Sequence, residues 1–117
     1  MRMRLLFAML MFPGGAVAAD SFVSVELGPV SSLHSERYFC GAATPFEVQY
    51  ATVGPTALAI IPVDGEPRVF VNVVAASGAR YVSGAYTWWT KGDSATLSNQ
   101  IDDSSRTCSR VDAPRPE

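Results

Sequence analysis

The sequence predicts an all-β fold, a small antiparallel barrel or sandwich of about eight strands. From residue 36 onward the chain consists of short runs rich in Val, Ile, Phe, Tyr, Trp and Thr, separated by Gly, Pro, Asp and Ser. No run has the apolar spacing of an amphipathic helix. Cys40 and Cys108 lie in the first and last runs, and a bridge between them would join the two ends of the sheet. That bridge favours a closed barrel over a sandwich.

The strands follow from the pattern of each run and from the turn residues between runs. The segment 46–50 alternates apolar and polar residues, as a half-buried strand should. Asp64-Gly65 predicts a hairpin between the more uniformly apolar run 57–63 and the run 68–74. The other predicted strands are 38–40, 79–82, 85–90, 94–97 and 106–111. Trp88 and Trp89 are consecutive in one strand, so one should face the interior and the other the surface.

The N-terminus has the layout of a signal peptide. Arg2 and Arg4 precede the apolar run 5–12, and small residues at 16–19 offer a cleavage site. We therefore expect residues 1–19 to be a signal peptide, 20–35 an arm or linker, 36–111 the barrel domain and 112–117 a flexible tail.

The expected location is the periplasm. Neither cysteine stands at the cleavage site, where a bacterial lipoprotein carries its lipidated residue, so the sequence predicts a soluble protein with no stable membrane anchor. An oxidising compartment makes a Cys40–Cys108 disulfide the expected state. His34 and two cysteines lack the spacing of a metal site, and His34 is expected to be a solvated linker residue.

The charge of the chain excludes one class of partner. Removing residues 1–19 takes away two arginines and leaves seven basic residues against eleven acidic ones, so the formal net charge moves from −2 to −4. A nucleic-acid surface would need a basic stripe, so no nucleic acid is expected as a partner. An exposed strand edge or the 20–35 arm could pair two copies into a homodimer, and no sequence feature decides this.

The order of several short motifs is similar to that of the periplasmic and membrane-bound inhibitors of c-type lysozyme. The motifs share their order, their spacing and a frame set by two cysteines. They are Tyr38 with Cys40, Val48-Gln49-Tyr50, Ala76-Ser77-Gly78-Ala79-Arg80-Tyr81, Trp89-Thr90-Lys91-Gly92, Ala95-Thr96-Leu97 and Cys108. Members of the family fold as an eight-stranded antiparallel barrel, so the resemblance implies the same fold here.

The resemblance also implies inhibition of a c-type lysozyme by two loops that enter its cleft. Ser77 matches the motif serine and Lys91, the only lysine in the chain, matches the motif lysine. Gly78 and Gly92 would permit the tight turns that present these side chains. Ala79, Arg80 and Tyr81 complete the implied lysozyme-binding set, with Arg80 and Tyr81 at the rim of the interface. No cofactor is expected.

Two other classes of function stay open from the residues. An enzyme could use Ser77 as nucleophile and Lys91 as its base, although the chain lacks a Gly-x-Ser-x-Gly motif and its one histidine lies in the expected linker. A small exported barrel could instead carry an apolar ligand or act as a structural envelope protein.

Overall fold

The strands of the computed structural model, which describes residues 11, 14, 21–41 and 44–111, form one closed antiparallel barrel. Each strand pairs with the next along the chain and the last returns to the first. The strands are β1 Ser32–Phe39, β2 Phe46–Val53, β3 Thr56–Val63, β4 Glu66–Val73, β5 Ala79–Ser83, β6 Tyr86–Lys91, β7 Ser94–Asn99 and β8 Ser104–Arg110. The predicted fold class, an antiparallel barrel of about eight strands, is confirmed.

The hairpin predicted at Asp64-Gly65 joins β3 to β4. Both residues have positive φ, 52° for Asp64 and 81° for Gly65. Two successive residues with positive φ match the right-handed twist of the flanking strands, which explains the Asp-Gly pair at this position. Pro62 pairs with Pro67 and Val63 with Glu66 on either side of the turn.

The first strand is longer than the sequence indicated and begins in the expected linker. β1 starts at Ser32 rather than near Tyr38, and it pairs with β2 from Ser32↔Thr52 to Tyr38↔Phe46. His34 is therefore an exposed strand residue, not a linker residue, and its ring stacks on Tyr50 at 5.2 Å. The expected tail 112–117 and all of the expected signal peptide except Met11 and Gly14 lie outside the described residues.

The barrel closes through a short seam between β1 and β8. The register of this seam has only the pairs Tyr38↔Arg110 and Phe39↔Ser109, followed by a hydrogen bond of 2.9 Å from the Val111 amide to the Arg37 carbonyl. The disulfide Cys40–Cys108 lies next to these pairs, as predicted, and spans a sequence separation of 68. A covalent bond thus reinforces the place where the β-ladder is shortest.

Side chains fill the barrel interior. The largest fully buried ones are Trp88, Phe70, Ile61, Val48 and Cys108, which come from five of the eight strands. Trp88 faces inward and is 0% exposed, whereas Trp89 is half-buried on the outer face, as the alternation of the strand predicts. An interior of this kind is a packed core rather than a channel.

The core also contains a small polar network. The Trp88 indole N–H donates to the Tyr50 hydroxyl at 2.9 Å, and the hydroxyls of Tyr50 and Tyr38 are 3.0 Å apart. Tyr38 meets the Trp88 ring edge-on, with the ring centroids 4.9 Å apart. The network satisfies polar atoms that would otherwise be buried without a partner, and it links β1, β2 and β6.

Candidate functional site

Ser77 and Lys91 lie on neighbouring connections at the same end of the barrel. The Ser77 loop, residues 74–78, joins β4 to β5, and the Lys91 turn, residues 91–94, joins β6 to β7. Because β5 and β6 are antiparallel and their register begins with Ala79↔Thr90, the loop leaves β5 directly beside the turn. The Ser77 and Lys91 side chains are both exposed there. The structure therefore brings together the two residues that the sequence singled out.

Gly78 lets the Ser77 loop touch the Lys91 turn. Its φ is +66°, and a Cβ at this position would stand 2.1 Å from the Thr90 carbonyl oxygen and 2.9 Å from Lys91 Cγ. Any side chain would collide with backbone at that distance, so only glycine permits this contact. Gly92 also has a positive φ, +58°, but a Cβ there would meet nothing within 4 Å. Gly92 serves the turn itself, whereas Gly78 serves the contact between the two connections.

Trp89 contacts both connections from the outer face of β6. Its indole N–H donates a hydrogen bond of 2.8 Å to the Ser77 carbonyl oxygen. The Lys91 ammonium nitrogen lies 4.3 Å from the centroid of the Trp89 ring, and the Arg80 guanidinium carbon lies 5.9 Å from it. Both distances fall within the range of cation–π attraction. The outward tryptophan thus holds the Ser77 loop and faces two cations.

The remaining sequence-predicted site residues lie on β5 with their side chains on opposite faces. Arg80 is half-buried on the outer face, beside Trp89 of the paired strand β6, and its backbone carbonyl accepts a hydrogen bond from the Asn72 side-chain Nδ2. Tyr81 points the other way and packs on Tyr50, with ring centroids 5.6 Å apart. Ala79 begins the strand and is half-buried. Arg80 is thus part of the outer surface, and Tyr81 belongs mainly to the mouth of the barrel.

The Lys91 turn is held on its far side by the barrel seam. Arg110 of β8 donates its backbone amide to the Asp93 carbonyl at 2.8 Å, and its side chain forms ion pairs of 3.3 Å with Asp93 and with Glu36 of β1. The Nε–H of Arg110 is not aligned with the Glu36 carboxylate, so that contact is an ion pair without a directed hydrogen bond. Within the turn, the Ser94 hydroxyl donates to the Lys91 carbonyl at 3.1 Å. The base of the turn is therefore fixed on both sides.

A cavity of about 190 Å³ opens at this end of the barrel, beside the Lys91 turn. Its walls combine aromatic rings, hydroxyl groups and an ion pair, and they are formed by His34, Glu36, Tyr38, Tyr50, Tyr81, Thr90, Gly92 and Arg110. Burial is the main factor that raises the pKa values of Tyr38, Tyr50 and Tyr81 above the ordinary value of 10.0. These phenols are therefore neutral hydrogen-bonding groups at physiological pH.

Sequence reasoning missed the contacts that hold the two connections in place. The alternation of the strand predicted that Trp88 and Trp89 face opposite sides of the sheet, but not which of them faces outward. Nothing in the sequence predicted the hydrogen bond from the Trp89 N–H to the Ser77 carbonyl. The Arg110 contact with Glu36 crosses the seam, so it depends on a barrel closure that no local pattern encodes. The Arg110 contact with Asp93 joins β8 to the Lys91 turn, which lies 17 residues earlier in the chain. In the described part of the chain, no group of three or more His, Cys, Asp or Glu residues could hold a metal ion.

The chain matches one family model and several known proteins. The model described as membrane-bound lysozyme-inhibitor of c-type lysozyme matches residues 38–106. A Pseudomonas aeruginosa protein named membrane-bound lysozyme inhibitor of C-type lysozyme is 51% identical over 64 residues, which are 54% of this chain and 50% of that protein. A Cupriavidus necator protein of the same name is 43% identical over 61 residues, 52% of this chain and 49% of that protein. The chain thus spans about half the length of these relatives.

A solved structure is similar over a larger share of the chain. The crystal structure of Pseudomonas aeruginosa MliC in complex with hen egg white lysozyme superposes with a TM-score of 0.64 at 37% sequence identity. The match covers 80% of this chain and 97% of the solved one. The barrel is therefore the fold of a protein that has been crystallised with a lysozyme.

The prediction of a soluble periplasmic protein that is not a lipoprotein is wrong. The matching family and both relatives are named membrane-bound, which contradicts it. The prediction rested on the lack of a cysteine beside the expected cleavage site, and a missing signal at one position is too local to determine where a protein resides. Among the described residues there is no helix long and apolar enough to cross a bilayer.

Proposed function

The chain belongs to the family of membrane-bound lysozyme inhibitors of c-type lysozyme, and we propose on that premise that it inhibits a c-type lysozyme by inserting Ser77 and Lys91 into the active-site cleft. One observation carries the proposal: the Ser77 loop and the Lys91 turn touch through Gly78 and present both side chains to solvent at one end of the barrel. They therefore form a single exposed surface.

The chemistry of the target explains why a lysine suits this position. Lysozyme cleaves its glycan with a carboxylic acid and a carboxylate on either side of the scissile bond, about 5 Å apart. An ammonium group is compact and has three N–H donors, so Lys91 can approach a carboxylate inside a narrow cleft. A charge-assisted hydrogen bond in a desolvated cleft is stronger than the same contact in water.

A serine hydroxyl complements a site in which one carboxyl group is protonated and the other is ionised. The Ser77 hydroxyl can donate to a carboxylate and can also accept from a carboxylic acid. Together the two side chains would occupy the catalytic carboxyl groups while the loops exclude the glycan. The mode of inhibition is competitive exclusion, in which no covalent bond forms and no cofactor takes part.

The test is the hydrolysis of bacterial cell walls by hen egg-white lysozyme in the presence of the purified protein. We expect the parent to inhibit at near-stoichiometric concentration. Removing one partner of a buried charge pair typically costs about 2–5 kcal/mol, so Lys91→Ala should weaken inhibition about 30-fold or more. Ser77→Ala removes a hydrogen bond to a charged group, worth about 1.5–3 kcal/mol, and should weaken it about tenfold or more.

Matched control variants lie at the opposite end of the barrel. Ser105 and Arg106 are exposed near the start of β8, away from both connections, so Ser105→Ala and Arg106→Ala should inhibit like the parent. If the parent inhibits and all four variants inhibit equally well, the protein is a lysozyme inhibitor but Ser77 and Lys91 are not its binding residues. A folded parent that does not inhibit would refute the proposed function itself.

The two alternative classes gain no support from the site. The Lys91 ammonium lies over the Trp89 ring, and no hydrogen bond among the described residues joins it to the Ser77 hydroxyl, as an activated nucleophile would require. A cavity of about 320 Å³ opens at the opposite end, but Asp64, Asp102 and Arg106 are among its lining residues. That mixed polar lining does not suit an apolar ligand.

A further inference from the structure

The Trp89 side chain contacts both the Ser77 loop and the Lys91 side chain. The hydrogen bond from its indole N–H to the Ser77 carbonyl fixes the loop at the residue that carries the hydroxyl. Its ring lies under the Lys91 ammonium. Lys91 follows Trp89 by two residues on the same strand, so both side chains leave the same face of β6.

The two contacts act on two different sources of disorder. A loop without secondary structure samples several backbone conformations, and the hydrogen bond from the Trp89 indole restricts the Ser77 backbone to one of them. A lysine side chain has a flexible four-carbon stem, and attraction to an aromatic face restricts where its ammonium goes. The ring covers one side of the ammonium and leaves its remaining N–H groups free for a carboxylate.

Arg80 adds a second cation beside the same ring. It pairs directly opposite Trp89 across β5 and β6, and its guanidinium carbon is 5.9 Å from the ring centroid. Lys91 and Arg80 repel each other, and both are attracted to the electron-rich ring. Lys91 is the closer of the two cations to the ring centroid, so the ring attracts its ammonium more strongly.

We propose that Trp89 is a positioning residue that orders the Ser77 loop and the Lys91 side chain before the lysozyme arrives. The role rests on the proposed function, since it concerns how the same two side chains are presented. A preorganised surface binds more tightly because less conformational freedom is lost on association. A tryptophan that merely touched the lysozyme would have the same location but would act independently of Ser77.

The variants Trp89→Phe and Trp89→Leu separate the two contacts. Phenylalanine keeps an aromatic face for Lys91 and removes the N–H, whereas leucine removes both. Trp88→Phe is the matched control, because it also removes one indole N–H, in this case the donor to Tyr50 inside the core. We expect Trp88→Phe to lower the melting temperature and to leave inhibition by the folded protein unchanged.

The first readout is the dynamics of the free protein, without lysozyme. Backbone ¹⁵N relaxation should show lower order parameters at residues 76–78 in Trp89→Phe than in the parent. The Lys91 methylene protons should keep a ring-current shift in Trp89→Phe and lose it in Trp89→Leu. Unchanged loop order parameters and unchanged Lys91 shifts in Trp89→Leu would overturn the positioning role.

The second readout is a double-mutant cycle in the inhibition assay. Losing one hydrogen bond of ordinary strength should weaken inhibition roughly fivefold in Trp89→Phe. In the Ser77→Ala background the same substitution should cost less than about twofold, because the hydroxyl that the loop presents is already gone. Equal costs in both backgrounds would identify a direct contact and overturn the proposal. A parent that does not inhibit would refute the proposed function, and the dynamics of the free protein would still decide whether Trp89 orders the loop.

Discussion

Gly78 and Gly92 share a left-handed backbone, but only Gly78 lacks space for a side chain. We expect Gly92→Ala to lower the free energy of unfolding by about 1 kcal/mol, the usual cost of placing a Cβ at positive φ. Gly78→Ala should lower it by roughly 2–4 kcal/mol, because the new Cβ would also overlap the Thr90 carbonyl. Urea unfolding of both variants measures the difference.

The same pair of variants separates the roles of the two glycines in inhibition. Relief of the overlap at Gly78 must move the Ser77 loop away from the Lys91 turn, so Gly78→Ala should also inhibit less well even where it is fully folded. Gly92→Ala has open space around it and should inhibit nearly as well as the parent. Equal stability and equal inhibition for the two variants would show that the contact at Gly78 does not matter.

For single residues, the sequence predicted which side chains belong to the candidate site better than it predicted the contacts that hold them. The lone lysine and the Ser-Gly-Ala-Arg-Tyr run drew attention to Lys91 and Ser77, and the structure brings both to one end of the barrel. The Trp89 bond to Ser77 could not be predicted, since it joins residues twelve apart through a loop whose path depends on the whole sheet.

Among the strands, β1, β2 and β6 are joined by the buried network of Tyr38, Tyr50 and Trp88. Tyr50→Phe would leave the Trp88 indole N–H buried without an acceptor, so we expect a loss of about 1–3 kcal/mol in the free energy of unfolding at pH 8. Tyr86→Phe is a suitable control, because Tyr86 is only partly buried at the edge of the core. Denaturant unfolding at pH 8 compares the two variants.

The network also predicts how stability changes in alkali. The pKa of Tyr50 in the folded protein lies well above the ordinary 10.0, so the folded state keeps a proton that the unfolded state releases. This stabilising contribution is fully present below pH 10 and is lost as the pH rises above it, by up to about 1.4 kcal/mol per pH unit. Tyr50→Phe should have a shallower decline between pH 10 and 11 than the parent. Parallel declines would contradict the role of Tyr50.

The strands that the sequence identified best are those with a buried face. In β2, Val48 and Tyr50 point into the core, so apolar and polar residues alternate along this strand and the sequence shows the pattern. Most of β1 is exposed, and Ser32 to Arg37 carry no apolar alternation that burial would impose. That strand forms because β2 offers it a complete ladder of hydrogen bonds, and a partner elsewhere in the chain leaves no mark on local composition.

For the molecule as a whole, the disulfide at the β1–β8 seam should dominate stability. In the chain-entropy model, a link across a separation of 68 residues stabilises the fold by about 4 kcal/mol. We expect a Cys40→Ala, Cys108→Ala double variant to unfold at markedly lower urea concentration than the parent. Because Arg110 lies two residues from Cys108 and holds Asp93, the Lys91 turn should also become more mobile and inhibition weaker.

A comparison with Arg110→Gln distinguishes the two effects of the seam. That variant keeps the disulfide and removes the ion pairs to Asp93 and Glu36, so it should retain most of the stability while it loosens the Lys91 turn. Thermal unfolding and ¹⁵N relaxation at residues 91–94 measure the two effects separately. If loss of the disulfide leaves those relaxation values at parent level, the seam does not support the turn.

The position of the disulfide also determines what a protease can do to this protein. Cys40 precedes β2, and Cys108 lies within β8. The peptide chain between the two cysteines and the disulfide bridge therefore form a covalent ring that contains β2 to β7. One cut in any hairpin within that ring opens it without releasing a fragment. The two pieces stay attached to each other through the bridge, so the release of a fragment requires a second cut or prior reduction.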